Sequence, residues 1–250
     1  MIRKLFVVSD IHGHDTELKR ALDKAGFDSE NKEHIFVSCG DLFDRGGENA
    51  QVYEFIKGLK QKILIKGNHE DILYEVLIGG RMTEEAELND TDITIAQIFG
   101  KDAFDENGNF NKDLYREKAD EMIAFIDSML NYYETEKYVF THGWLPIVFE
   151  GNNPKIDPFW RDASEQDWKE SRWLEWQQLY SVKATLEENT IVCGHRPARL
   201  GHMFDDWREA DSNEPFYGEG MIAIDGNTVR SGFVNVLVIE ENQTGNVGRR

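Results

Sequence analysis

Five short apolar runs in this chain each end on glycine-flanked residues that can bind metals or move protons, and that recurrence constrains the fold more than any other feature. Leu5-Phe6-Val7-Val8 leads into Asp10-Ile11-His12-Gly13, and Ile35-Phe36-Val37 into Gly40-Asp41-Leu42-Phe43-Asp44-Arg45-Gly46. Ile63-Leu64-Ile65 leads into Gly67-Asn68-His69-Glu70, Tyr138-Val139-Phe140-Thr141 into His142-Gly143, and Ile191-Val192-Cys193 into Gly194-His195. Unbroken apolar runs of this length, rich in β-branched and aromatic side chains, read as buried strands. Such strands present their polar groups at their carboxyl ends, where open α/β sheets bind ligands.

Between the strands the apolar period changes. Asp15 to Lys24 reads as a helix with Leu18, Ala21, Leu22 and Ala25 on one face, and Asn49 to Lys60 repeats the pattern with Val52, Phe55, Ile56 and Leu59. Alternation of strand, loop and helix predicts a partly parallel sheet. From about residue 70 to 131 the chain reads as helical and charged, a cap or side layer. Its Thr83-Glu84-Glu85-Ala86-Glu87 run reads as a solvated face. Asp105-Glu106-Asn107-Gly108-Asn109 lacks the spaced carboxylates and closing Glu of a calcium loop and reads as a turn. Met221–Ile224 and Gly232–Ile239 read as closing strands of a hairpin turning at Asp225-Gly226-Asn227.

A length of 250 residues without a Gly/Ser/Pro-rich linker predicts one α/β domain over 1–250. The net charge of -19 makes the surface repel phosphate backbones, so nucleic acid is not an expected partner and an anionic ligand needs a local positive centre. No stretch of membrane-spanning length is apolar and Met1-Ile2-Arg3-Lys4 runs directly into a strand, which predicts a cytoplasmic protein without a membrane partner. The two cysteines, Cys39 and Cys193, each precede a motif glycine and suit reduced, buried strand ends.

The chemistry follows from the residue types. Asp10 and His12 are two apart and can converge on one ion from a strand end. Asp41 has two oxygens, each able to take a separate metal, and Asn68, His142 and His195 complete a second site. Carboxylate, amide and imidazole donors without thiolate suit Mn²⁺, Fe or Zn²⁺. Two such ions about 3.5 to 4 Å apart hold a bridging hydroxide for in-line attack and clamp the phosphoryl oxygens. Asp10 or Asp41 alone would pass for a helix cap, Asn68 for a turn residue, Asp44-Arg45 for a salt bridge and Asp225 for a turn cap. Four of the seven histidines, His12, His69, His142 and His195, lie beside motif glycines, which favours ligation for the set; His14 and His34 lack that context and read as surface residues.

Taken in order, these motifs resemble the calcineurin-like metallophosphoesterases, and within them the phosphoprotein phosphatase branch of bacterial-type serine/threonine phosphatases. The matches span residues 10 to 197. The resemblance implies a layered β-sandwich flanked by helices, with a dinuclear site at the carboxyl ends of the strands. It implies that Asp10, His12 and Asp41 hold one divalent metal, and Asp41, Asn68, His142 and His195 the other, with manganese the expected ion. It also implies that His69 protonates the leaving oxygen, Asp44 orients His69, and Arg45 holds phosphate oxygens. The branch uses a second phosphate-binding arginine between the last two histidines; Arg172 in Trp168-Lys169-Glu170-Ser171-Arg172-Trp173 is preferred, with Arg161 as substitute.

The pattern departs from the wider superfamily at Pro197, where many members carry a second histidine; His202 is the nearest replacement. Arg196 follows the last histidine and either adds charge at the rim or pairs with a surface acid. Residues 160 to 176 hold four of the six tryptophans, which either wall a pocket or pack a core. The resulting expectation is a protein phosphatase acting on a phosphorylated protein. The alternative is a symmetric diadenosine tetraphosphate hydrolase or other nucleotide phosphatase, whose substrate is a small molecule and whose tryptophans stack a base. A non-catalytic scaffold is disfavoured because all six ligand positions are filled.

Overall fold

In the computed structural model, which describes residues 2–205, 211–242 and 247–249, the apolar runs form two sheets packed face to face. The strands are β1 (Ile2–Val8), β2 (His34–Ser38), β3 (Lys62–Leu64), β4 (Tyr132–Glu134), β5 (Tyr138–Phe140), β6 (Ile147–Glu150), β7 (Asn153–Ile156), β8 (Thr190–Cys193), β9 (Phe216–Gly218), β10 (Met221–Ala223), β11 (Leu237–Asn242) and β12 (Val247–Arg249). The first sheet runs β11-β1-β2-β3 and the second β12-β4-β5-β8-β10-β9, while β6 and β7 make a separate hairpin. β1, β2 and β3 are parallel, as are β5, β8 and β10.

Side-chain alternation explains the unbroken apolar runs. In β1, Leu5 and Val7 enter the core between the sheets with Val37, Phe140 and Val192, whereas Phe6 and Val8 face the helices. Ten helices flank the sandwich among the described residues: α1 (Asp15–Ala25), α2 (Asn49–Gly58), α3 (Asn68–Gly79), α4 (Glu84–Leu88), α5 (Thr91–Phe99), α6 (Arg116–Asp127), α7 (Glu165–Ser171), α8 (Trp176–Ser181), α9 (Arg199–Asp205) and α10 (Thr228–Ser231). α1 carries the expected stripe, with Leu18 and Leu22 buried, and ends at Gly26 in the left-handed region (φ 80°). Residues 70–131 form α3 to α6 and share one core with α1 and α2 through Ile72, Val76, Ile95, Phe99, Met122 and Ile126. They are therefore a side layer of the sandwich.

One expectation is corrected by long-range pairing. Asp225-Gly226-Asn227 is not a hairpin turn: β10 pairs with β8 and β9 in the second sheet, while β11 pairs with β1 in the first, and α10 occupies the crossover. The tryptophan-rich segment is mostly core, since Trp160, Trp168 and Trp176 are buried, Trp168 stacks on Tyr132 and Trp176 on Phe216. His34 is likewise half-buried, its ring packed against Phe6 and Phe27. Cys39 and Cys193 are buried and unbridged. Among the described residues no helix is long and apolar enough to cross a membrane.

Candidate metal centre

The loops that follow β1, β2, β3, β5 and β8 meet at one edge of the sandwich. Asp10 N–H donates to Gly40 O (3.1 Å), His12 N–H to Asp41 O (3.1 Å), and Gly194 N–H to His142 O (2.8 Å), so backbone bonds lace the motifs together. The aim of the side chains comes from the backbone just past each strand. Asp10 (φ 53°), His12 (47°), Asp41 (55°), Asp44 (72°), Arg45 (65°) and His195 (64°) all adopt the left-handed region, which costs energy for residues bearing a Cβ and is tolerated at functional sites. Two glycines permit the approach: a Cβ on Gly67 would sit 2.1 Å from Asp41 Oδ1, and one on Gly194 would sit 1.8 Å from Ser9 Oγ.

Asp41 is the centre of the arrangement. It belongs to two groups of close donors, one with His12 and His69 and the other with His142 and His195. Its Oδ2 lies 3.7 Å from His12 Nε2 and 3.8 Å from His69 Nε2, and its Oδ1 lies 3.3 Å from His142 Nε2. Asn68 Oδ1 lies 2.8 Å from His142 Nε2 and 3.1 Å from His195 Nδ1, and Asp10 Oδ1 is 4.0 Å from His12 Nε2. The rings are oriented from behind. His12 Nδ1–H donates to Phe43 O (3.0 Å) and His142 Nδ1–H to Cys39 O (2.7 Å), which leaves Nε2 of each facing the cluster.

The donor set fits divalent cations. Asp10 and Asp41 are buried, yet among the described residues no ammonium or guanidinium is paired with either. Burial, then repulsion from Asp225, pushes the Asp10 carboxyl well above the usual range. Burial also opposes ionisation of Asp41, but His142 and His69 outweigh it and hold its carboxyl well below the usual range. Burial disfavours a charged His142, yet Asp41 overrides it and lifts the imidazole to about 9. Burial and His142 lower His195 to about 3, and burial and His69 depress His12, which leaves both rings as lone-pair donors.

Behind the cluster, His69 Nδ1 lies 2.7 Å from Asp44 Oδ2, and Asp44 accepts from Thr91 Oγ1 (3.0 Å) and Thr94 Oγ1 (2.7 Å) on α5. The side layer therefore fixes the Asp44–His69 pair. Glu70, a motif residue to which the sequence assigned no role, accepts backbone N–H bonds from Asp41 (2.9 Å), Leu42 (2.8 Å) and Gly67 (2.8 Å), tying two ligand loops together. Burial, then the Asp41 carboxylate, pushes the Glu70 carboxyl up to about 7.

The cluster opens into a cavity of about 820 Å³. Its walls include Arg45, His69, Trp173, Arg196 and Asp225. Trp173 is 39 % exposed and meets His195 edge-on, with 5.9 Å between ring centroids. Arg196 takes both expected roles, lining the cavity and pairing with Glu175 at 3.0 Å. Asp225 is buried beside the cluster, and burial pushes its carboxyl to about 6. Placing Asp225 from sequence would have required knowing that β10 runs parallel to β8 and ends at the same edge.

The second phosphate clamp is corrected. Arg172 is 2 % exposed and both its Nη groups are bound, Nη1 to Asp71 Oδ2 (2.7 Å) and Nη2 to Glu165 Oε1 (2.9 Å) and Asn131 Oδ1. Arg161 is bound to Glu134 Oε2 (2.9 Å) and lies over the Trp160 ring. Neither lines the cavity. His202 Nε2 sits 3.0 Å from Glu214 O and does not reach the cluster.

A family profile described as calcineurin-like phosphoesterase matches residues 3–222. A symmetrical bis(5'-nucleosyl)-tetraphosphatase of Coxiella burnetii is 34% identical over 85 residues, 34% of this chain and 28% of that protein. An asymmetrical bis(5'-nucleosyl)-tetraphosphatase of Bacillus subtilis is 33% identical over 82 residues, 29% of this chain and 34% of that one. The matched stretch thus spans less than a third of the first relative and about a third of the second. A solved structure described as a candidate diadenosine tetraphosphatase superposes with TM-score 0.54 at 15% identity, covering 99% of this chain and 94% of that one. A cold-active protein-tyrosine phosphatase of Shewanella gives TM-score 0.55 at 18% identity, covering 95% of this chain and 75% of the other. At such identities the two superpositions speak for the fold alone.

Proposed function

For a chain that belongs to the calcineurin-like phosphoesterase family, we propose metal-dependent hydrolysis of phosphoesters and phosphoanhydrides, with dinucleoside tetraphosphates as the substrate class. The observation that carries the reading is Asp41, buried and shared by two donor groups at the floor of an open cavity. Asp10, His12 and Asp41 would hold one ion, and Asp41, Asn68, His142 and His195 the other, with manganese the expected metal. When bound, the ions acidify water to supply the nucleophile and neutralise phosphoryl charge.

The chain's own groups supply the rest. His69 keeps its Nδ1 on Asp44 and turns Nε2 toward the cluster, so a proton on Nε2 is available to a departing oxygen. Burial disfavours that proton, but Asp41 and the Asp44 hydrogen bond outweigh it and raise the pKa of His69. Arg45 points its guanidinium past His12 Nε2 (3.4 Å to Nη1) and is anchored at Asn89 Oδ1 (3.0 Å), a placement suited to holding a non-bridging phosphate oxygen. Trp173 lines the same cavity and is the aromatic group there on which a base can stack.

The motifs alone led to a serine/threonine protein phosphatase. The curated relatives are named for dinucleoside tetraphosphates, which favours the small-molecule alternative. The test is a Mn²⁺-supplemented assay of diadenosine tetraphosphate, a phosphothreonine peptide and an aryl phosphate, with products separated by chromatography. The reading expects the tetraphosphate to give the highest kcat/KM. A higher value for the phosphopeptide refutes it, and the nucleotide products report symmetrical or asymmetrical cleavage.

A further inference from the structure

The chain carries a formal charge of -19, yet the cavity over the metal cluster gathers Arg45, Arg196, Arg199 and Arg230. Arg45 belongs to a metal motif and Arg196 is held by Glu175 (3.0 Å). Arg199 and Arg230 have neither explanation. Among the described residues neither has an ion-pair partner, and the Nε of Arg199 is buried without a hydrogen-bond acceptor. A buried donor left unpaired is costly, and an acceptor arriving in the cavity removes that cost.

Arg199 opens α9 and Arg230 lies on α10, and the segments leading into these two helices are fastened to each other. Ala198 N–H donates to Asp225 O (2.9 Å), joining the His195 loop to the crossover that carries Arg230. That crossover is braced by Thr228 Oγ1 on Phe233 O (3.1 Å), Ser231 Oγ on Gly226 O (2.7 Å) and Ser231 N–H on Asn227 O (2.9 Å). These bonds fix the backbone segments that carry the two side chains, both of which line the cavity.

We propose that Arg199 and Arg230 form a second phosphate subsite, which holds phosphate groups of a polyphosphate chain beyond the one being cleaved. Planar guanidiniums bind phosphate oxygens in pairs, and in an otherwise acidic molecule two unpaired ones beside a metal cluster select a long polyanion over a single phosphate. The inference rests on the phosphoesterase reading and deepens it: Arg45 serves the reacting phosphate, Arg199 and Arg230 the distal ones.

The experiment compares wild type with Arg199→Gln/Arg230→Gln on diadenosine tetraphosphate and an aryl monophosphate, with Mn²⁺ in excess. The ratio of the two kcat/KM values is expected to fall by about 10- to 100-fold, the effect of losing one charge-assisted hydrogen bond. The Ki of inorganic tripolyphosphate against aryl phosphate hydrolysis is expected to rise by a similar factor relative to that of orthophosphate. If the double variant does not fold, the exposed Arg230→Gln alone is expected to shift both quantities in the same direction. A selectivity ratio and relative Ki unchanged within about twofold overturn the subsite. Failure of the dinucleotide reading looks different: wild type then hydrolyses the aryl phosphate but not the tetraphosphate, and tripolyphosphate competition still decides the subsite.

Discussion

Arg172→Met tests how a buried arginine is used, because it keeps the bulk of the side chain and removes the charge. The wild-type guanidinium is bound to Asp71, whose side chain is 11% exposed, and to Glu165, whose side chain is 58% exposed. Solvent screens the second pair, so the loss falls chiefly on Asp71. Burial already raises the Asp71 carboxyl against the pull of Arg172; without Arg172 the group is stranded in a poorly solvated place. Removing one partner of such a pair costs about 3–5 kcal/mol. For a domain of this size that lowers Tm by roughly 6–20 °C. Thermal and urea unfolding measure the loss directly, and a companion Asp71→Leu/Arg172→Met variant should recover most of it, since the stranded carboxylate is gone. The reasoning is refuted if Arg172→Met costs less than about 1 kcal/mol while kcat/KM drops about 100-fold or more, for then Arg172 reaches the substrate.

Three further outcomes follow from the same geometry. His69→Ala should lower kcat by about 10² to 10⁴ with both ions retained, and lose less on an aryl phosphate than on an alkyl phosphate, because the aryl group leaves without a proton; equal losses on the two substrates contradict the role of His69. Glu165 is partly buried, which opposes its ionisation, but Asn131 and Arg172 outweigh this and lower its pKa below the ordinary 4.5. Its stabilisation is therefore present above the unfolded pKa and lost as pH falls through the folded one, so the Tm deficit of Glu165→Gln should shrink with acidification, and a deficit that grows instead reverses the sign. Burial pushes the thiols of Cys39 and Cys193 up, so iodoacetamide should label neither in the native protein and both after denaturation; native labelling at neutral pH disproves their burial.

What the sequence disclosed was local. Asp10, Asp41, Asn68, His142 and His195 could be picked out because each follows within four residues an apolar run that reads as a strand, and α1 and α2 because their apolar stripes repeat over two or three turns. Roles that depend on long-range partners were not. Arg172 and Arg199 look alike as letters, and only the Asp71–Glu165–Asn131 environment makes the first an internal tie. Asp225-Gly226-Asn227 has good hairpin chemistry, but β11 finds more pairing along β1 than a two-stranded hairpin would offer. Of the tryptophans in residues 160–176, Trp160, Trp168 and Trp176 pack in the core while Trp173, between α7 and α8, lines the cavity, a distinction that composition does not carry.

The central claim is that Asp41 joins two metal sites. Isothermal titration of the metal-free protein with Mn²⁺, for wild type and Asp41→Asn, tests it most directly. Wild type should bind about two ions per chain, as expected of a dinuclear phosphoesterase, and chelation should abolish hydrolysis until Mn²⁺ is restored. Asp41→Asn should weaken both binding events, since the lost carboxylate faces both donor groups. A single ion in wild type, or two ions bound by Asp41→Asn with unchanged affinity, contradicts the shared-carboxylate centre.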